Sequence, residues 1–169
     1  AVLQTGASRM RVLAIDPGPV ESAFVVIDAD DCRPVDFGKI ENAARRAHIL
    51  CGNVAADRSA IEMVASYGMA VGAEVFDTCV WIGRYLEVLE LTEPQLVKRL
   101  PVKLHHCYDS KAKDSNITQA LVDRFAPGQP NHGKGTKAAP GWFHGFFKDI
   151  WQAYALAVYA ADKLKEGDS

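Results

Sequence analysis

Short apolar runs alternate along the chain with longer stretches in which apolar residues recur at every third or fourth position. Residues 11–28, RVLAIDPGPVESAFVVID, contain two such runs around a Pro-Gly turn, which predicts a β-hairpin. Further runs predict strands at 34–40, 59–65 and 95–100, and helical periodicity predicts helices at 42–51, 71–90, 101–107, 114–125 and 148–165. A mixed sheet covered by helices follows, an α/β or α+β domain.

The predicted helix at 71–90 has apolar residues on two sides. One set recurs at intervals of three and four residues and is expected to face a sheet: Val71, Val75, Cys79, Ile82, Leu86 and Leu89. A second set lies on another side: Phe76, Val80, Trp81 and Tyr85. We therefore expect one face to pack on the sheet and the other to contact a partner subunit.

Composition limits the class of protein. The chain has 169 residues, 49% of them hydrophobic and 24% charged, which is typical of one soluble globular domain. No apolar run approaches the roughly 18 residues of a membrane span, and the start does not resemble a signal peptide, so we expect a cytoplasmic protein. Residues 1–9 are interpreted as a leader added in cloning, and 10–169 as a single domain. The four cysteines contain no CxxC pair and are expected to be free thiols.

Charge is distributed unevenly. The net charge is −2, yet residues 98–137 hold eight Lys and Arg against three Asp and Glu. A basic segment in an acidic chain is a possible binding surface for a polyanion, although such a segment is often only a solvated face.

Three acids stand where the apolar pattern should continue. Asp16 ends the first strand, Glu62 interrupts the fourth, and Asp149 lies at the start of the last helix. Each has a simpler reading: a turn residue, a partner for an arginine across the sheet, and a favourable charge at a helix N-terminus. If the first and fourth strands are neighbours, however, the three carboxylates converge. Clustered carboxylates need a cation, and all-oxygen ligands favour Mg²⁺, with Mn²⁺ as a substitute.

The motifs IDPG, IE and KDIWQAYALAVYAADK, in this order, resemble the RuvC-type Holliday-junction resolvases of the RNase H-like superfamily. The resemblance covers nearly all of residues 10–165 and is greatest to small phage and prophage members, because IEMVASYGMAVGAEVFDTCVWIGR and KDSNITQALVDRF look like their signatures. It implies a five-stranded RNase H-like sheet flanked by helices. It also implies a homodimeric, Mg²⁺-dependent endonuclease that hydrolyses branched DNA, with Asp16, Glu62 and Asp149 as catalytic metal ligands and no nucleotide cofactor.

One position departs from this family. Bacterial resolvases of this type carry a second acid three residues after the first in the last helix, where this chain has Gln152. Three carboxylates suffice in some RNase H-like relatives, and Asp114 is an alternative fourth ligand, although it or Ser115 is expected to cap the helix that follows.

Candidate DNA contacts follow from charge and from the resemblance. We expect the phosphate backbone to meet five lysines: Lys103, Lys111, Lys113, Lys134 and Lys137. Tyr67 and Met69 lie roughly where related resolvases insert an apolar wedge into the junction, and ordinary loop packing is the alternative for both. The aromatic segment at 142–147 is expected to anchor the core.

Two other functions remain open at this stage. Gln152 is compatible with a catalytically impaired protein that binds branched DNA without cutting it. The acid-plus-glycine turn also occurs in actin-like and sugar-kinase-like phosphotransferases, but these need a second phosphate loop and usually two domains.

Overall fold

The computed structural model describes residues 9–66 and 68–167. Tyr67 and residues 1–8 lie outside this range, so the leader at 1–9 stays a prediction. The elements follow the predicted order: β1 (Arg11–Asp16), β2 (Glu21–Asp28), β3 (Pro34–Glu41), α1 (Asn42–Leu50), β4 (Arg58–Met63), α2 (Ala73–Val88), β5 (Gln95–Lys98), α3 (Arg99–Cys107), α4 (Asp114–Phe125) and α5 (Ile150–Gly167). Short 3₁₀ turns occupy Glu90–Thr92 and Asn131–Gly133.

The strands of the described region form one mixed sheet in the order β3-β2-β1-β4-β5. β1, β2 and β3 are successive antiparallel neighbours, whereas β4 is parallel to both β1 and β5. The hairpin between β1 and β2 requires Gly18, because a Cβ atom there would lie 2.4 Å from the backbone oxygen of Glu21. The predicted mixed five-stranded sheet is confirmed.

Each face of the sheet packs against its own helices. On what we call the α5 face, α3, α4 and α5 cover Val12, Ala14 and Ala60. On the α2 face, α2 covers Leu13, Ile15 and Ile61. On the α5 face, Phe143 and Phe146 of the aromatic segment are buried and anchor the core as predicted, whereas Phe147 is 49% exposed.

The sequence assigned the two sides of α2 imperfectly. Its buried residues are Thr78, Ile82 and Tyr85, so Tyr85 belongs to the core and not to the outer set. Val71 precedes the helix and is exposed. Phe76 and Val80 remain exposed, at 63% and 54% of their surface. The error arose because apolar residues surround this helix, and periodicity alone could not define its inner face.

One predicted helix start shifts, and one predicted helix cap is wrong. α5 begins at Ile150, because Lys148 has a φ of 44° and cannot continue a right-handed helix. Asp149 therefore lies just before the helix, where its carbonyl accepts hydrogen bonds from the amides of Gln152 and Ala153. The prediction that Asp114 or Ser115 caps α4 is wrong: Lys113 precedes the helix, and Asp114 is its first residue.

Two predictions about the whole chain can be compared with the described residues. All four cysteines are free thiols, as expected. Among the helices of residues 9–66 and 68–167, none has the length and apolar character needed to cross a bilayer.

Candidate functional site

One row of residues crosses the sheet at the carboxyl end of β1. Asp16 pairs with Ala23 of β2, and Ala23 pairs with Lys39 of β3. On the other side, Ile15 pairs with Ile61 in the parallel strand β4, so Asp16 and Glu62 follow as the next residues of neighbouring strands. Strand alternation directs this row to the α5 face, because Ile15 and Ile61 belong to the α2 face.

Asp149 completes the group from the start of α5. α5 lies across β1, β2 and β4, which brings its first turn over the row. The Asp149 carboxylate accepts a hydrogen bond from Lys39 Nζ at 2.6 Å. Glu62 and Asp149 both lie close enough to Asp16 to act on it electrostatically, while their role as metal ligands stays a prediction.

The electrostatics of Asp16 report this convergence. Its pKa is raised from 3.8 to about 7, first by burial and then by repulsion from the carboxylates of Glu62 and Asp149, while Arg99 opposes the shift. Burial also raises the pKa of Glu62, again against the effect of Arg99. The positive charges of the protein therefore do not fully offset the cost of ionising Asp16 and Glu62.

Arg99 joins Glu62 to two further elements. Arg99 is the first residue of α3, and its Nη1 lies 3.3 Å from Glu62 Oε2. Its Nη2 donates to Asp114 Oδ1 at 2.6 Å and to Gln152 Oε1. Glu62 therefore does pair with an arginine, although this arginine comes from α3 and not from across the sheet. Asp114 also acts electrostatically on both Asp16 and Glu62.

A cleft of about 400 Å³ opens beside the acids. It is lined by Asp16, Asp149, Lys39 and the turn at 17–21. Within residues 9–66 and 68–167, no three acidic, histidine or cysteine side chains already surround a common point that could hold an ion. Two of the three acids instead form ion pairs, Asp149 with Lys39 and Glu62 with Arg99.

The donor set nevertheless fits a hard divalent cation. All three acids offer carboxylate oxygens, and each of two already binds a positively charged side chain that stands in for a cation. The Lys39–Asp149 pair is the more readily opened, because the two side chains are 30% and 48% exposed and exposed ion pairs are weak.

Sequence reasoning missed Lys39 and Arg99. Alternation along DFGKIE puts Lys39 on the same side as Phe37, but only the register of β3 against β2 shows that it faces Asp16. Arg99 follows the fifth strand, and its reach to Glu62, Asp114 and Gln152 depends on how three helices pack. Neither residue leaves a local signal that distinguishes it from a surface cation.

The candidate DNA contacts lie on α3, on the segment before α4, and on the following loop. Lys103 and Lys134 are half-buried, whereas Lys111, Lys113 and Lys137 are exposed. Lys103 lies close enough to the site to act electrostatically on Glu62. Met69 is 72% exposed on the loop after β4, and Tyr67 lies outside the described residues.

The mixed sheet, its strand order and the helices on both faces define an RNase H-like fold. The RuvC structure from Thermus thermophilus matches with a TM-score of 0.68 and 16% sequence identity, over 94% of this chain and 97% of that chain. T. thermophilus RuvC in complex with Holliday junction substrate matches with a TM-score of 0.68 and 15% identity, over 94% and 96%.

No family model and no curated protein matches the chain. At 15–16% identity the structural similarity establishes the fold. The fold expected from the resemblance to RuvC-type resolvases is confirmed, and the closer resemblance to phage members stays a prediction.

The raised pKa of Asp16 predicts an unusual pH dependence of stability. Because the folded-state pKa lies near 7 and the unfolded value near 3.8, the metal-free protein should lose stability as pH rises through this interval. Asp16→Asn should remove that loss, raising the free energy of unfolding at pH 8 by an upper bound of about 4 kcal/mol and leaving it unchanged near pH 4. Thermal denaturation in EDTA measures the effect.

The matched control is Asp123→Asn, which removes an exposed acid on α4 and preserves an acceptor for Gln119. This variant should melt like the unmodified protein at both pH values. Equal stability of Asp16→Asn and the unmodified protein at pH 8 would contradict the raised pKa of Asp16.

Proposed function

We propose that the protein is a metal-dependent endonuclease that cuts four-way and other branched DNA by phosphodiester hydrolysis. The observation that carries this proposal is the proximity of Asp16, Glu62 and Asp149 at the carboxyl end of β1, where burial and then repulsion from the other two acids raise the pKa of Asp16. The fold shared with T. thermophilus RuvC, which has been solved with Holliday junction substrate, supports the choice of substrate. A DNA substrate of this kind is consistent with the cytoplasm of a bacterium or of a phage-infected cell.

Asp16, Glu62 and Asp149 would hold Mg²⁺, with Mn²⁺ as a substitute. When bound, the ion would neutralise the phosphate and favour a nucleophilic water at neutral pH. Asp16 is the last residue of β1, and Asp149 is the residue immediately before α5. The two acids therefore enter the same cleft from two rigid elements.

Lys39 has two partners in this proposal. In the metal-free structure it neutralises Asp149 at 2.6 Å. A cation bound to Asp149 would repel the ammonium group, which would then be free to pair with a phosphate arriving at the cleft. An exposed lysine on a flexible stem is suited to this exchange.

An impaired nuclease is the second candidate, because Gln152 brings no charge and Arg99 engages Glu62. Such a protein would bind branched DNA without cutting it. The phosphotransferase alternative receives no support from the described residues, whose single sheet matches RuvC over 94% of the chain.

Cleavage distinguishes these candidates. The purified protein with Mg²⁺ or Mn²⁺ should cut a labelled four-way junction faster than flap or linear duplex DNA. Asp16→Asn should reduce the rate of cutting at least about a hundredfold, because loss of a metal ligand should cost more activity than loss of a residue that only supports a ligand. Binding of the junction, measured on gels, should persist. Asp123→Asn is the control and should cut normally. Binding without cutting by the unmodified protein would favour the impaired alternative.

The basic segment should set the salt dependence of binding. Lys111 and Lys113 are exposed before α4, and each phosphate contact contributes about one unit to the slope of log affinity against log salt. Lys111→Gln with Lys113→Gln should lower the magnitude of that slope by about 2. Lys163→Gln, which removes an exposed lysine paired with Glu166 on α5, should leave it unchanged. Equal slopes for the Lys111/Lys113 double variant and for Lys163→Gln would contradict a role of Lys111 and Lys113 in DNA binding.

Homodimerisation through α2 is part of the proposed function. Phe76 and Val80 lie on the exposed side of α2, and Met69 and the half-exposed Val71 lie on the segment before it. Burying these side chains against a second copy would remove apolar surface from water, and two sites related by a twofold axis match two symmetric strands of a junction.

Sedimentation velocity tests the dimer. Phe76→Asp should convert dimer to monomer without changing the circular dichroism spectrum, because Phe76 is 63% exposed and does not pack in the core. Leu104→Asp, an exposed apolar position on α3 across the sheet, should remain dimeric. A monomeric unmodified protein at micromolar concentration would overturn the proposed interface.

A further inference from the structure

Arg99 is the most thoroughly engaged cation beside the acidic group. Its side chain is 17% exposed and bonds to oxygens from three elements: Glu62 on β4, Asp114 on α4 and Gln152 on α5. The planar guanidinium suits such a role because its donors have fixed directions. Arg99 is thereby held in place by its own partners.

Lys39 differs from Arg99 in each of these respects. Lys39 binds one carboxylate, at Asp149, and both side chains of this pair are substantially exposed. A divalent ion can displace it by breaking one contact. Displacing Arg99 would break three contacts and leave Glu62, whose side chain is 20% exposed, without its cation.

We infer that Arg99 is a built-in cation at the Glu62 corner of the site, so that the site takes one divalent ion, on the side of Asp16 and Asp149. This inference rests on the proposed function, in which the acids hold a metal, and narrows it: Asp16 and Asp149 would hold the ion, while Arg99 engages Glu62 Oε2. A second ion at Glu62 Oε2 would approach a guanidinium already bonded to that oxygen, and its double charge would be repelled twice as strongly as a single one.

Gln152 fits this arrangement. Its amide oxygen accepts a hydrogen bond from Arg99 without adding a negative charge that would need further compensation. An acid at this position, one turn into α5, would extend the acidic group toward Glu62 and favour a second ion. In this arrangement the positive charge of Arg99 takes the place of a second metal ion, and the neutral Gln152 takes the place of an acid that would favour one.

Manganese binding tests the inference on the full chain. Free hexaaquo Mn²⁺ gives an electron paramagnetic resonance signal that bound Mn²⁺ loses, so titration yields the number of ions per protomer without any measurement of activity. The set is the unmodified protein, Gln152→Asp, the double variant Arg99→Gln with Gln152→Asp, and the control Lys103→Gln. The control removes a positive charge that acts on Glu62 from one turn further along α3.

We expect one ion per protomer for the unmodified protein, for Gln152→Asp, in which Arg99 pairs with the new acid, and for Lys103→Gln. The double variant should bind two. A second ion in the unmodified protein, or one ion in a double variant with unchanged circular dichroism, would overturn the inference. If the double variant does not fold, the unmodified protein and Gln152→Asp decide: two ions in either one overturn it.

The failure of the proposed function has a different signature. Two bound ions in the unmodified protein would leave a metal-dependent nuclease intact and remove only the role assigned to Arg99. No bound Mn²⁺ in the unmodified protein, with the free-ion signal undiminished, would overturn the metal site itself and the inference with it.

Discussion

The parallel pairing of β1 with β4 is the constraint on which the site depends. The register Ile15–Ile61 fixes Asp16 beside Glu62, on a face that is otherwise lined by residues such as Ala14 and Ala60. Neighbouring strands lie about 4.8 Å apart, so the backbone itself imposes the approach of the two acids. The cations at this edge are responses to that constraint: Arg99 reaches Glu62 from α3, and Lys39 reaches Asp149 from β3.

A second acid at the α5 layer shows what full compensation looks like. Asp162 accepts hydrogen bonds from both Nη atoms of Arg124, at 2.7 and 2.9 Å, and contacts His105 Nε2 at 2.7 Å. Burial alone would raise the pKa of Asp162, but these hydrogen bonds outweigh it and hold the pKa well below its usual range. Asp16 shifts in the opposite direction. The charge of Asp162 is thus compensated within the protein, whereas we propose that a bound cation compensates the charge of Asp16.

The strands and helices could be predicted from local sequence patterns, whereas the contacts between residues distant in the sequence could not. The hairpin around Pro17-Gly18 and the two acids in β1 and β4 follow from alternation and turn residues within short windows. Lys39 and Arg99 could not be predicted, because strand register and helix packing determine their partners. The prediction that Asp114 caps α4 is wrong for the same reason, because its carboxylate pairs with Arg99.

The opposed charges of the acidic group and the basic segment impose an order on the proposed reaction. In the proposed function, lysines around the site would attract the phosphate backbone over distances near the Debye length, and this attraction would not require a metal. Entry of the scissile phosphate into the cleft would differ, because Asp16, Glu62 and Asp149 would repel it unless a divalent ion were bound. The affinities for metal and for phosphate at the cleft would therefore be linked, and each ligand would strengthen the binding of the other by the same factor. Lys39 would extend this linkage to the protein, because an ion held by Asp149 would leave the charge of Lys39 for the phosphate.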